Sequence, residues 1–429
     1  MRKLTVKNFS VIKDSELEFG RITVLIGPQA EGKSLLCKLS YFLGAEIIGF
    51  AVDSLLDRNS WDEYLHTVVR EFNSRFATDG WLKNSTVASF ESQQYNAKLR
   101  GVGDPLSPGV EFTFSEAFHQ LYTILNNKVS LQAPYKNMAL SELRQELWMQ
   151  FSLLINKKRT QTNVYIPSGR SFFTDTAKSV SVLQNLELDW ITRRFAVQVF
   201  WDTRWKIGLL SADQGVARDI EREMYRIARG HVVIVEGKPL FLSLDGRSLP
   251  LSLLSSGTQE LLPMFSTMNY LAFHQEHFHA RAAATRISPL ADVSDYSPLI
   301  YLEEPESNVF PETQRELIQL FAWLSSDPVL SFDWVLTTHS PYVLSVFGDL
   351  VKAGTIGAQS AGHHVATAKI IPEKYWIKEA DFAAYKIENG RLAPIFDRKS
   401  GQIDGDFLDS VSEKLSDEFG QLLEIQYGS

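Results

Sequence analysis

The residues with the clearest chemical meaning lie in one stretch near the start of the chain. Residues 22–34 read ITVLIGPQAEGKS, a short apolar strand followed by the spacing G-x-x-x-x-G-K-S. Glycines let a loop fold with its N–H groups turned inward around an anion, and a helix N-terminus adds positive partial charge there. The sequence therefore predicts a nucleotide-binding P-loop built from Gly27, Pro28, Gln29, Ala30, Glu31, Gly32, Lys33, Ser34 and Leu35.

Two side chains of this loop have separate predicted roles. Lys33 is expected to reach the β- and γ-phosphates, and the Ser34 hydroxyl is expected to ligate Mg²⁺. The single cysteine, Cys37, falls in the helix after the loop and is predicted to be a small packed residue.

Two apolar strands further along the chain end in side chains that suit phosphate chemistry. Residues 298–302 run into Glu303 and Glu304, of which one would hold Mg²⁺ through water and the next would polarise the attacking water. Residues 334–338 run into His339, a proton-bearing group. We expect the carboxylate strand to lie next to the P-loop strand.

A third stretch, SSGTQE at residues 255–260, precedes an apolar helix. Serines and a glycine at a helix N-terminus can bind an anion, although capping serines are common.

These four elements, in this order, resemble the ABC-type ATPases, in the branch that contains RecF, Rad50, SMC and OLD-family proteins. Residues 303–314, EEPESNVFPETQ, resemble that branch's E-E-P-E-x-x-x-x-P-x-x-Q, residues 255–260 its signature, and residues 307–308 its D-loop. The resemblance covers residues 1–44 and 250–348, less than half of the chain.

The resemblance implies an α/β fold, an ABC-ATPase head of the P-loop NTPase type with an N-terminal antiparallel β-subdomain and a helical insertion. It implies ATP and Mg²⁺ as cofactors, with Ser34 and, through water, Glu303 as metal ligands. It also implies a head-to-head dimer, or a higher homo-oligomer, with ATP between two copies. The implied catalytic residues are Lys33, Glu304 and His339, and the implied signature residues in trans are Ser255, Ser256, Gly257 and Gln259.

Two departures from the family pattern suggest slow hydrolysis. The usual aspartate of the carboxylate pair is Glu303, which is one methylene longer. A histidine often found near the D-loop is replaced by NVF at residues 308–310.

The chain divides by pattern into four predicted parts. They are an N-terminal ATPase lobe (1–114), a helical insertion (115–230), a C-terminal ATPase lobe (231–348), and a tail with a hairpin and a helix (349–429). The tail hairpin is predicted from an Asn-Gly pair at residues 389–390.

Composition narrows the classes of function. A net charge of −8 argues against a generally basic nucleic-acid surface, so DNA is allowed as a partner but not favoured. One cysteine excludes a disulfide framework. No run approaches about 18 apolar residues, so we expect no membrane span and a cytoplasmic protein.

The sequence shows neither sustained heptads nor a second catalytic constellation. The chain therefore resembles compact AAA-15-like ATPases that act as subunits of anti-phage defence systems such as PARIS, with Septu as the nearby alternative. This leads to the hypothesis of an ATPase that controls a separate Toprim nuclease or other toxin effector in response to a phage trigger protein. The rival hypotheses are a RecF-like DNA-repair ATPase and a nucleotide-gated scaffold with negligible hydrolysis.

Several motifs leave two interpretations open. Gln93 and Gln94 could supply a glutamine that contacts Mg²⁺ or water, or they could lie in a solvated loop, and Lys157 to Arg159 could contact phosphate or end a helix. Arg170 could face the nucleotide or a neighbouring subunit, or form a structural ion pair. VEGK at 235–238 could begin a Toprim motif or form a hairpin, and DGD at 404–406 could bind a metal or cap a helix.

Overall fold

The computed structural model of the chain describes most of the 429 residues. The described residues are 2–78, 80–104, 107–131, 138–155, 159–171, 188–209, 215–236, 238–284, 295–397, 401–404, 416–422 and 425.

The described part of the chain alternates strands and helices. The strands are β1 Arg2–Phe9, β2 Ile12–Phe19, β3 Ile22–Ile26, β4 Val87–Ser92, β5 Tyr95–Asp104, β6 Ser107–Phe114, β7 Arg159–Ile166, β8 Gly230–Val235, β9 Lys238–Ser243, β10 Ser248–Pro250, β11 Asp295–Glu303, β12 Asp333–Thr338, β13 Phe382–Glu388, β14 Arg391–Pro394, β15 Phe396–Asp397 and β16 Gln402–Ile403. The α-helices are α1 Lys33–Tyr41, α2 Ile47–Leu56, α3 Trp61–Arg75, α4 Glu116–Leu131, α5 Leu140–Ile155, α6 Trp190–Leu209, α7 Val216–Ala228, α8 Ser256–Ala284, α9 Pro311–Ser326, α10 Pro341–Gly357 and α11 Ala361–Ala368.

One 11-stranded sheet organises the molecule, in the order β6-β5-β4-β1-β2-β14-β13-β3-β12-β11-β7. The five strands from β13 to β7 are parallel, whereas β6 to β2 form an antiparallel wing. The α/β fold with an N-terminal antiparallel β-subdomain is confirmed.

The strand order corrects one expectation. The carboxylate strand β11 does not lie next to the P-loop strand β3, because β12 pairs with both of them. Thr338 of β12 lies opposite Ile26 of β3, and Thr337 lies opposite Glu303 of β11. The three strands therefore end together, at the edge where ligands bind in open parallel sheets.

Two hydrophobic cores cover the two faces of the parallel strands. Alternate residues of one strand point to opposite faces, so Tyr301 belongs to one core and its neighbours Ile300 and Leu302 to the other. Helices α1 to α5 cover the first face, and helices α7 to α10 cover the second.

The helix after the P-loop is unusually apolar. Helix α1 continues through a π-helical turn, Phe42–Glu46, into α2. The combined stretch Lys33–Leu56 is long and apolar enough to cross a membrane, which corrects the expectation of no such run. Since 78% of its most apolar window is buried within the fold, it has the burial of a core helix.

The sheet draws strands from all four predicted parts of the chain. Strand β7 lies within the predicted helical insertion, and β13 with β14 lies within the predicted tail. The tail hairpin is confirmed, with its turn at Asn389 and Gly390. The four boundaries stay a prediction, but the predicted insertion also supplies β7, one of the two edge strands of the sheet.

Candidate nucleotide site

The predicted P-loop has the expected strand–loop–helix context, between β3 and α1. Two of its glycines are required by close approach. A Cβ on Gly27 would stand 2.2 Å from the carbonyl oxygen of Ile387, and a Cβ on Gly32 would stand 2.4 Å from the side chain of Ile12. Gly32 also has φ +101°, which L side chains rarely adopt. The exposed P-loop residues Pro28, Gln29 and Ala30 form the open side of the loop.

Lys33 fills the hollow of this loop. Its side chain is buried, and Nζ donates to the carbonyl oxygens of Gly27 at 2.8 Å and Pro28 at 2.7 Å. Burial lowers the pKa of Lys33, and the negative charges of Glu304 and Glu306 oppose that shift. The predicted phosphate-binding lysine and two carboxylates from the turn after β11 therefore share one electrostatic environment.

The tail hairpin buttresses the loop. The amide of Gly390 donates to the carboxylate of Glu31 at 3.0 Å, and the carbonyl of Gly390 accepts from the amide of Lys13 at 2.8 Å. This contact joins two parts of the chain that lie 359 residues apart. A sequence pattern could predict the hairpin, but not the place where its turn docks.

The turn after β11 brings Glu304 and His339 together. Glu304 has φ +43°, and its amide donates to the carbonyl of Thr337 at 2.9 Å. Its Oε1 lies 3.7 Å from His339 Nε2, and its Oε2 accepts from the hydroxyl of Ser307 at 3.2 Å. Both Glu304 and His339 keep over a third of their side-chain surface exposed, so both are accessible to a ligand.

Glu306 fixes the end of β12. Its Oε1 accepts from the Thr338 hydroxyl at 2.8 Å and from the His339 amide at 2.7 Å. Gln314 accepts from the hydroxyl of Ser340 at 2.6 Å, on the same connection. The last glutamate and the glutamine of the E-E-P-E…Q pattern therefore hold the histidine-bearing segment in place.

Glu303 is held by the neighbouring strand β7 and by the segment that follows it. Its Oε1 accepts from the hydroxyl of Tyr165 at 2.6 Å, and its Oε2 accepts from the amide and hydroxyl of Ser168 at 3.1 and 3.3 Å. Burial, reinforced by Glu303, raises the pKa of Tyr165, so the phenol keeps the proton that it donates. Tyr165 and Ser168 are contacts that the sequence did not single out. A polar side chain at the end of a strand was the only available signal.

The oxygen donors at this edge fit Mg²⁺, which prefers hydroxyl, carboxylate and water ligands. Ser34 lies at the start of α1, and the buried Oε2 of Glu306 has no hydrogen-bond partner among the described residues. Glu303 is only 4% exposed, and each of its oxygens already accepts a hydrogen bond. Glu304 and Glu306 therefore join Glu303 as carboxylates that a metal ion could use.

The predicted signature forms the start of helix α8. Ser255 caps the helix, because its hydroxyl accepts from the amide of Thr258 at 3.3 Å. Ser255 and Ser256 are exposed, and Gln259 donates to the carbonyl of Leu251 at 3.1 Å. Among the residues that the structure describes, neither serine forms a hydrogen bond with the P-loop of the same chain.

Arg170 does not line the open site. Its side chain is fully buried, and its guanidinium donates to the carbonyl oxygens of Pro167, Glu260, Glu303 and Glu304. Of the three interpretations of Arg170, the geometry favours the structural one. Arg170 lies behind the carboxylates and joins them to helix α8.

The structure places some of the other motifs for which the sequence left two interpretations. Gln93 and Gln94 are exposed in the turn between β4 and β5, beside the first residues of β1. The P-loop instead lies against Val11 and Ile12, where the turn between β1 and β2 leads into β2. The two glutamines therefore lie at the other end of the wing. Val235 and Lys238 pair with each other in the β8–β9 hairpin, which favours the hairpin interpretation, and Gly237 lies outside the described residues. The basic run at 157–159 and the DGD at 404–406 lie largely outside the described residues.

Comparison with known proteins identifies one matching family model. The model AAA_15, described as AAA ATPase domain, matches residues 65–344, which is more than half of the chain. No curated protein matches the sequence.

Three solved structures illustrate the distant structural likenesses. An SMC head bound to the C-terminal winged-helix domain of ScpA has a TM-score of 0.42 at 9% identity, with 92% of this chain and 96% of that chain covered. The SMC head domain from Thermotoga maritima has a TM-score of 0.36 at 12% identity, with 92% and 97% covered. The recombination mediator protein RecF has a TM-score of 0.32 at 10% identity, with 92% and 97% covered.

The close packing of Gly27 generates a prediction for nucleotide affinity. Gly27→Ala should weaken binding of a fluorescent ATP analogue by about tenfold or more, because the new methyl group displaces the loop from Ile387. The matched control is Gly362→Ala, where the nearest atom would lie 3.9 Å from the methyl group. Equal affinities for the two variants would contradict the proposed loop geometry.

Proposed function

Because the chain belongs to the AAA ATPase domain family, we propose that it binds ATP with Mg²⁺ and hydrolyses it at the edge formed by β3, β12 and β11. The observation that carries this proposal is the common edge at which β3, β12 and β11 end. The charges of Glu304 and Glu306 act on Lys33 there, and Glu304 Oε1 lies 3.7 Å from His339 Nε2. This edge therefore combines a phosphate-binding lysine, a candidate general base and a histidine.

Each side chain has a role that follows from its position. Lys33 binds the terminal phosphates from within the loop. Glu304 orients and deprotonates the attacking water. His339, whose Nε2 lies 3.7 Å from Glu304 Oε1, stabilises the charge that develops. Ser34 and the carboxylates after β11 would hold Mg²⁺, which would supply charge neutralisation at the phosphates. Glu303, which accepts hydrogen bonds from Tyr165 and Ser168, would orient these metal ligands.

We propose further that the complete site forms between two copies of the chain. The exposed serines Ser255 and Ser256 are available to a second molecule. Large apolar side chains adjoin three site motifs and are also exposed: Leu253 before the signature is 71% exposed, Phe310 after the D-loop 77%, and Tyr342 after His339 56%. Burial of such side chains would favour self-association.

The narrowest part of the proposal concerns biological role. An ATPase site without a second catalytic constellation in the sequence suits a cytoplasmic subunit that controls a separate effector. The effector would be a Toprim nuclease or another toxin, released in response to a phage protein. The helical region between residues 115 and 230 is the candidate contact surface.

The role of Glu304 can be tested by its neutral isostere. Glu304→Gln should lower phosphate release by about 10²- to 10³-fold while ATP still binds, because the base is lost and the side-chain shape is kept. The control is Glu312→Gln, which changes an exposed glutamate paired with Arg315 on helix α9. Equal, near-zero rates for wild type and Glu304→Gln would instead support a nucleotide-gated scaffold.

Self-association can be tested by complementation between two inactive variants. Lys33→Ala removes the P-loop lysine, and Ser256→Arg blocks the signature. A mixed dimer retains one site with both parts intact, so an equal mixture should recover roughly a quarter of the wild-type rate. No recovery, from variants that are folded and exchange subunits, would show that each chain hydrolyses ATP alone.

Effector control can be tested by co-expression with the neighbouring reading frames. A tagged chain should co-purify with an effector, and the complex should change when ATP and the effector's trigger are added. A Lys33→Ala chain is the control for nucleotide dependence. A chain that purifies alone under all these conditions would contradict the proposed role, but not the ATPase activity.

A further inference from the structure

Arg170 joins two parts of the site that are distant in sequence. Its Nη1 donates to the carbonyl oxygen of Glu303 at 2.8 Å, and its Nη2 donates to that of Glu304 at 3.1 Å. Its Nε donates to the carbonyl oxygen of Glu260 at 3.2 Å and lies 3.5 Å from Oε2 of the same glutamate. Glu260 is in the first turns of helix α8, next to the signature residues.

A second contact joins the same two segments. A Cβ on Gly257 would stand 2.6 Å from the carbonyl oxygen of Asn308, so the signature glycine lies directly against the turn that follows Glu304. Asn308 has φ +59°, a left-handed conformation that this turn requires. The start of α8 and the carboxylate turn are therefore in contact at two places.

We propose that Arg170 is a positioning residue that couples the two composite ATP sites of the dimer. The inference rests on the proposed function, because it assumes that the signature of one copy meets the ATP of the other. A shift of α8 on contact with the partner's ATP moves Glu260. Arg170 then transmits that shift to the backbone of Glu304, which acts on the ATP of its own chain.

The guanidinium is suited to this coupling by its shape. Its planar fork donates in several fixed directions at once, whereas a lysine ammonium at the end of a flexible stem cannot hold two carbonyls and a helix together. Since the side chain of Arg170 has no exposed surface, its contacts are not shared with solvent. A movement of Glu260 is therefore passed through the guanidinium to the backbone of Glu303 and Glu304.

The test measures binding of a fluorescent, non-hydrolysable ATP analogue with Mg²⁺ to the full-length chain. The wild type should bind with a Hill coefficient above 1, up to about 2 for two coupled sites. Arg170→Lys should bind with a Hill coefficient of about 1, and its kcat for ATP should fall on the order of tenfold.

The matched control is Arg75→Lys. Arg75 is a largely buried arginine whose fork holds Glu46 at 2.5 Å and Glu71 at 3.3 Å, in the core beside α2 and α3. This substitution should lower the melting temperature and leave the Hill coefficient unchanged. A loss of cooperativity in both variants would mean that general destabilisation is the cause, and would overturn the proposal.

A second substitution protects the test against a failure of Arg170→Lys to fold. Glu260→Gln keeps the backbone acceptor and the side-chain shape, but removes the charge that lies near Arg170 Nε. It should lower the Hill coefficient in the same direction. A wild type that binds without cooperativity, or variants that keep the wild-type Hill coefficient, would overturn the proposal.

These outcomes are distinct from a failure of the proposed function. A wild type that releases no more phosphate than Glu304→Gln would contradict the ATPase activity, whatever its binding curve. A wild type that hydrolyses ATP and shows complementation, but binds ATP with a Hill coefficient of 1, would overturn only the coupling by Arg170.

Discussion

Charge compensation at the end of strand β11 is the constraint on which the rest of the site depends. Glu303, Glu304 and Glu306 lie within four residues of one another, and none is fully exposed. Burying carboxylates without partners would cost several kcal/mol. Two cations and a set of hydrogen-bond donors offset this cost: Lys33 from the P-loop, Arg170 from behind, Tyr165 from β7, Ser168 from the segment after β7, and Thr338 from β12.

This compensation also explains why the site draws on all parts of the chain. The P-loop alone supplies one cation, and its loop needs Ile387 and Gly390 of the tail to keep its shape. Strand β7 supplies donors to Glu303 and leads to Arg170. A division into independent lobes therefore describes the order of segments in the sequence better than it describes the packing.

The sequence predicted local features well and relations between distant segments less well. A P-loop is a local spacing with a local strand and helix, so Gly27 to Ser34 could be identified directly. The position of β12 between β3 and β11 depends on strand order, which no spacing encodes. The hydrogen-bond partners of Arg170 could not be predicted from the sequence, because they lie 90 and 134 residues away along the chain. The predicted roles of the site residues remain predictions, although their meeting at one edge is consistent with them.

The longer carboxylate at position 303 has a physical consequence for the metal. Its oxygens accept hydrogen bonds from a tyrosine on the neighbouring strand and from a serine just after that strand. Each donated hydrogen bond withdraws charge from the carboxylate and fixes its orientation. A carboxylate used in this way would attract Mg²⁺ less strongly than a free one. Ser34, Glu304 and the Oε2 of Glu306, which has no hydrogen-bond partner in the described part of the chain, would then carry more of the metal binding. Since Glu304 is also the proposed base, any share that it takes in holding the metal lowers its ability to accept a proton. Slow hydrolysis would then follow from the competition of two tasks for one side chain.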